Sequence, residues 1–174
     1  MSLVRPATAA ARLVVRGARV LDPRSDLDGL FDVVVIDGEI ASVAPAGSAT
    51  VPEGAEVVDG AGRHLLPAFV DPHVHLRVPG QEHKEDLETG TRAAAAGGFC
   101  AVVAMPNTDP VVDSAPVLRA LRDAAARDAR VPVAFTASIT RGLRGDELTE
   151  MAELRSEGAI AFTDDGRPVV SAGM

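Results

Sequence analysis

The chain has 174 residues, 47% of them apolar, which is enough for a hydrophobic core and argues against disorder. Its 25 Asp and Glu against 17 Lys and Arg leave a net charge of -8 spread along the chain, and a nucleic-acid partner is not expected because phosphate binding needs a basic surface. No apolar run approaches the roughly 18 residues of a membrane span, and Ala7 to Ala11 is broken by Arg12 before any signal-type stretch develops, so a cytoplasmic protein with no membrane partner is expected.

Leu13 to Val20 alternates weakly between apolar and polar residues. Phe31 to Ile36, Asp37-Gly38 and Glu39 to Val43 together are a strong hairpin signal, since Asp-Gly supplies the positive φ angles of a two-residue turn. Pro45, Gly47, Pro52 and Gly54 punctuate the end of this region, and Glu56 to Val58 and His64 to Leu66 read as further short strands. Residues 1–66 are expected to form a small β-sandwich-like domain.

From Pro67 the pattern becomes strand and helix in alternation. Ala68 to His75, Phe99 to Met105, Val131 to Ile139 and Ala159 to Thr163 are short, apolar and bounded by turn residues, as buried parallel strands are. The single cysteine, Cys100, is expected as a small core residue in the second of them. Glu85 to Ala96, Ala115 to Arg127 and Glu147 to Glu157 are long enough for helices. Gly97-Gly98 closes the first, Ser114 and Pro116 open the second, and Asp146 is the expected N-cap of the third.

This alternation implies a parallel α/β fold. No Gly-x-Gly-x-x-Gly follows any strand, whereas the first, second and fourth strands carry polar residues at their C-terminal ends, where (β/α)-barrel enzymes build their sites. Since a (β/α)8 barrel takes roughly 250 residues, residues 67–174 correspond to its first half, and the natural protein is expected to continue past Met174.

Asp71-Pro72-His73-Val74-His75-Leu76-Arg77 is the most informative stretch. Strand alternation would put His73, His75 and Arg77 on one face, where two imidazoles can hold a divalent metal, usually Zn2+. A bare His-x-His could equally be two solvated loop residues; its place after an apolar strand, before Arg77 and Pro79-Gly80, favours the metal site. His64 lies before the barrel and His83 among charges in a loop, so neither is favoured as a ligand. Thr136, Ser138 and Thr140 form no recognisable triad with any histidine.

Asp71 to Pro79 resembles the signature of the dihydroorotase branch of the cyclic amidohydrolases. Glu85-Asp86-Leu87-Glu88-Thr89-Gly90, Met105-Pro106-Asn107-Thr108 and Phe162-Thr163-Asp164-Asp165-Gly166 resemble further motifs of that family in the same order. The resemblance implies that His73 and His75 bind metal and that Arg77 and Asn107 hold the substrate carboxylate. A guanidinium fork and a neutral amide donor suit that task. Many members of the superfamily bridge two metals with a carboxylated lysine, but Lys84, the only lysine, stands at the start of a helix. Another branch uses an aspartate, and Asp165 is favoured over Asp164 for it.

The implied reaction is zinc-dependent, reversible hydrolysis of dihydroorotate to N-carbamoyl-aspartate in pyrimidine synthesis, with one or two ions activating water and polarising the ring carbonyl. Two further His ligands and a proton-shuttling Asp are expected beyond Met174. The resemblance also implies a homo-oligomer, with aspartate transcarbamoylase as a candidate partner. Two alternatives stay open: a catalytically silent scaffold subunit of aspartate transcarbamoylase, and a relative acting on hydantoins or allantoin. Half a barrel leaves sheet edges unpaired, so the isolated 174-residue chain is expected to melt without a cooperative monomer transition in calorimetry; a sharp monomer transition would contradict that expectation.

Overall fold

The computed structural model describes residues 3–4, 11–171 and 173, so Ala7 to Ala10 of the N-terminal stretch lie outside the described residues. The chain divides into two units, Thr8–Pro67 and Ala68–Met174, the latter with Met1–Ala7.

In the first unit β1 (Leu13–Asp22), β2 (Leu27–Ile36) and β3 (Glu39–Pro45) form an antiparallel meander, and β4 (Glu56–Asp59) and β5 (His64–Leu65) both pair parallel with β1. Asp37 and Gly38 take φ of 54° and 82° at the β2–β3 turn, as the Asp-Gly pair predicts. β1 bulges between Val15 and Ala18, and there Gly17, at φ 64°, donates its N–H to Asp32 Oδ1 at 2.9 Å.

Asp32 is fully buried and also accepts from the N–H groups of Gly47 and Ala49, at 2.8 and 3.2 Å. It thus ties the bulge to the segment after β3. Among the described residues this unit has one sheet, and its apolar face borders a cavity of about 680 Å3 lined in part by Leu13, Val15, Val33, Val35 and Val43.

The second unit is the first part of a (β/α)-barrel. β6 (Phe69–Val74), β7 (Phe99–Ala104), β8 (Val133–Ala137) and β9 (Ala161–Phe162) are parallel neighbours in that order. Helices α1 (Leu87–Ala96), α2 (Ala115–Asp128) and α3 (Met151–Glu157) occupy the crossovers. Val4 exchanges two backbone hydrogen bonds with Val133 beside β8, a bridge for which the sequence carries no signal.

The core lies between helices and sheet, where Leu118, Leu121, Val102, Val133, Phe135 and Leu154 pack together. Asp86 caps α1 through a reciprocal box with Thr89: the Thr89 N–H donates to Asp86 Oδ1 at 2.7 Å, and the Asp86 N–H to Thr89 Oγ1 at 3.0 Å. No helix among the described residues is long and apolar enough to cross a membrane.

Three expectations require correction. Helix α3 begins at Met151 rather than Glu147, and Asp146 does not cap it. Glu147 to Thr149 instead pair back onto the β8 exit, through Arg141 N–H to the Glu147 carbonyl (2.8 Å) and Thr149 N–H to the Ile139 carbonyl (3.0 Å). Those bonds hold the segment extended where its composition favours helix. Nor are all four strands buried: β8 is buried throughout, but Phe69 and Val70 on the edge strand β6 are each 57% exposed. Cys100 is exposed rather than a core residue; it falls where the β6–β7 register shifts, with Phe69 paired to Phe99 and Val70 to Ala101, so strand alternation does not carry it into the core with Val102.

Leu118 is fully buried, so Leu118→Ala is expected to destabilise the full-length protein by about 2–5 kcal/mol in denaturant unfolding. The Asp32 carboxyl is held below the usual carboxylate range, chiefly by the Gly17 N–H and then by those of Ala49 and Gly47. Its folded-state pKa is therefore below the unfolded one, and its contribution is complete above the unfolded value and lost as pH falls through the folded value. Acid unfolding followed by circular dichroism should show Asp32→Asn losing stability at neutral pH but sharing the native midpoint at low pH.

Candidate metal centre

The site is assembled at the C-terminal ends of β6, β7 and β9. β6 stops at Val74, and the Met105 N–H donates to the Val74 carbonyl at 2.9 Å, so the chain leaving β7 is fastened to the chain leaving β6. Asp71 Oδ1 accepts the His73 N–H at 3.0 Å across Pro72, where the register of β6 is irregular. The His73 and His75 rings then lie edge to face, centroids 5.2 Å apart.

Asp165 comes to them from the end of β9. Its Oδ1 is 3.1 Å from His73 Nε2 and its Oδ2 is 3.5 Å from His75 Nε2. One donor atom from each of these three residues lies within 4.8 Å of the others. Two imidazole nitrogens and one carboxylate oxygen suit a divalent metal of borderline softness. The side chains range from half-open His73, 56% exposed, to Asp165 at 12%, leaving a path for a small ligand.

The neighbouring carboxylates have separate surroundings. Asp164 turns inward, where its Oδ1 accepts the N–H groups of Ile139 and Thr140 at 2.8 and 3.0 Å and its Oδ2 accepts the Thr140 hydroxyl. Asp164 is buried and away from the histidines, so of the Asp-Asp pair the structure brings only Asp165 to them.

Arg77 departs from the simple strand picture. It lies beyond the end of β6 with φ of 62°, a left-handed backbone, so the alternation that pairs His73 with His75 does not extend to it. It is half-buried, and among the described residues no carboxylate lies within ion-pair distance of its guanidinium. Asn107, three residues past β7, donates from Nδ2 to Asp165 Oδ2 at 2.6 Å, and its Oδ1 is 2.9 Å from His75 Nδ1. Spacings of 32 and 58 residues hide both contacts from any reading of sequence periodicity.

The loops bearing Arg77 and Asn107 are packed backbone to backbone. The Asp109 N–H donates to the Pro79 carbonyl at 3.0 Å, and a Cβ on Gly80 would collide with the Asp109 carbonyl. Gly80 also sits at φ 92°, so its lack of a side chain is required twice. Gly90 in α1 is similarly constrained, since a Cβ there would meet Leu76 Cδ2 at 2.6 Å. The stretch Glu85 to Gly90 thus caps and seats α1 against the strand end.

The remaining candidates fall outside the cluster. Lys84 is exposed and donates to Gln81 Oε1 at 2.8 Å; His83 is exposed beside it; His64 belongs to β5 in the other unit. Thr136 donates to the Ala104 carbonyl at 2.8 Å, and the buried Ser138 hydroxyl has no partner among the described residues.

A family model described as dihydro-orotase-like matches residues 62–174. Over 93% of its length the chain is 51% identical to a protein named dihydroorotase from Anaeromyxobacter sp. (strain K), and over 92% it is 48% identical to one from Solibacter usitatus (strain Ellin6076). It spans only 37% and 36% of those relatives. Among solved structures, an L-hydantoinase from Arthrobacter aurescens matches with a TM-score of 0.72 at 24% identity, covering 86% of this chain and 32% of that one. A D-hydantoinase matches with a TM-score of 0.68 at 22% identity, covering 90% and 36%. At these identities the structural likeness speaks for the fold alone.

Asp164→Ala should orphan two backbone N–H groups at the β8 exit, each costing about 1–3 kcal/mol. Asp165→Ala should leave the thermal midpoint of metal-free full-length protein near the native value. Parallel melts of the two variants check this difference.

Proposed function

As the chain belongs to the dihydro-orotase-like family, we propose that the protein it is part of is a metal-dependent dihydroorotase, hydrolysing (S)-dihydroorotate reversibly to N-carbamoyl-L-aspartate in pyrimidine biosynthesis. The observation that carries this reading is the convergence of His73, His75 and Asp165 at the strand ends of a partial barrel. The donor set fits Zn2+, and these three residues would hold it. When bound, the ion supplies Lewis-acid polarisation of a carbonyl and activation of water.

The chain's own residues do the rest of the binding. Arg77 is proposed to grip the substrate carboxylate, for which a half-buried guanidinium with no ion-paired carboxylate among the described residues is suited. One Asn107 N–H is taken by Asp165, and the second is free to reach the same carboxylate. Holding the anionic end at these two donors would set the ring amide against the metal side of the site and limit its approach to one orientation. The proton-shuttling group is proposed to come from outside this chain.

For the domain organisation, residues 1–66 are proposed as part of a small β-sandwich-like domain and 67–174 as the first half of the barrel. The open apolar face of the five-stranded sheet supports the need for a second layer.

Full-length protein is expected to hydrolyse dihydroorotate, to lose that activity on exhaustive chelation and to regain it with Zn2+; turnover that survives metal removal would overturn the reading. Arg77→Ala should lower kcat/KM roughly ten- to hundredfold, equivalent to about 1.5–3 kcal/mol, mainly through KM, in steady-state kinetics. Arg77→Lys should recover little of it, because an ammonium lacks the planar fork.

A further inference from the structure

Asn107 stands between two members of the three-residue cluster. Asp165, as a carboxylate, has no proton to give, so the amide nitrogen must face it, at 2.6 Å from Oδ2. The amide oxygen then faces His75 Nδ1 at 2.9 Å, and an amide oxygen only accepts, so Nδ1 must carry the ring hydrogen. Of the two neutral forms of the ring, this contact admits only the one in which Nε2, the nitrogen turned toward Asp165, keeps its lone pair.

The amide is itself held in place by backbone. Met105 N–H to the Val74 carbonyl and Asp109 N–H to the Pro79 carbonyl bracket the segment, and the buried Pro106 carbonyl accepts the Val112 N–H at 3.1 Å.

We propose that Asn107 is a positioning residue for the metal centre: it locks His75 in the Nδ1–H tautomer and holds the Asp165 carboxylate beside it before a divalent cation arrives. A free neutral histidine favours the opposite, Nε2–H, form, which has no lone pair to offer from Nε2. Without the amide, that tautomer must be abandoned and a carboxylate rotor stilled at the moment of binding. Outer hydrogen bonds of this kind commonly tune metal affinity by about ten- to a hundredfold. The same amide has a second N–H, so one side chain would couple ligand geometry to the substrate position proposed above. The inference rests on the reading of His73, His75 and Asp165 as ligands.

The test uses full-length, metal-free protein and Zn2+ alone, with no substrate. Side-chain nitrogen NMR of native His75, taken at a pH high enough that the ring is neutral, should show the hydrogen on Nδ1 and not on Nε2; the reverse would overturn the proposal without any variant. In Asn107→Ala the ring should shift toward the Nε2–H form, and in Asn107→Asp, which keeps an acceptor for Nδ1, it should not. Zn2+ titration against a competing chelator should find Asn107→Ala about ten- to a hundredfold weaker than native. Native affinity in that variant would defeat the inference. His73→Ala separates the two ideas: if it also binds Zn2+ as tightly as native, the metal centre itself is wrong, whereas weakened binding there with native binding in Asn107→Ala sinks the positioning role only.

Discussion

The site depends on the way Asp164 is clamped. Three donors from the β8 exit, the N–H groups of Ile139 and Thr140 and the Thr140 hydroxyl, converge on this one buried carboxylate. β9 is only two residues long and pairs with β8 through two residues, so ladder bonds alone would fix its exit poorly. The clamp supplies the missing restraint. With Asp164 turned inward, Asp165, at φ 22° before Gly166 at 78°, is presented on the other side toward the histidines. One residue's worth of chain separates a carboxylate held at the β8 exit from one that faces the histidines.

A second restraint acts between loops. Gly80 and Gly90 are places where a methyl group would strike a neighbour, and both stand beside the stretch that carries His75, Leu76 and Arg77. Close backbone approach at Gly80 lets the loops after β6 and β7 hydrogen-bond directly, and this brings Asn107 within reach of His75. Functional side chains here are set by backbone contacts, which lose less entropy and deform less than contacts between long side chains. The left-handed backbone of Arg77 belongs to the same economy, since strain of this kind persists where surrounding bonds over-determine it.

These restraints divide the motifs by task. Asp86, Thr89 and Gly90 close and seat a helix; Asp71 braces β6 across Pro72; Asp164 anchors a strand exit. His73, His75 and Asp165 cluster apart from these scaffold contacts, and Asn107 joins two of them. A motif read as a unit in sequence thus contains both scaffold and chemistry, and hydrogen-bond partners tell them apart.

Much was legible without coordinates. Period-two and helical apolar patterns, Asp-Gly and paired glycines placed the hairpin, the four parallel strands and three helices, because local sterics and burial act over a few residues. His73-x-His75 was legible as a pair of neighbouring imidazoles for the same reason. Local patterns misled where distant bonds intervene: Glu147 to Thr149 pair with the β8 exit instead of starting a helix, and Arg77 leaves the strand that would have aligned it with His75. Only the tertiary structure decided which of two adjacent aspartates reaches the histidines, and that Asn107 lies between His75 and Asp165. Those contacts join residues 24 to 92 positions apart, and sequence periodicity carries no information about partners that meet only when separate strands are aligned in one sheet.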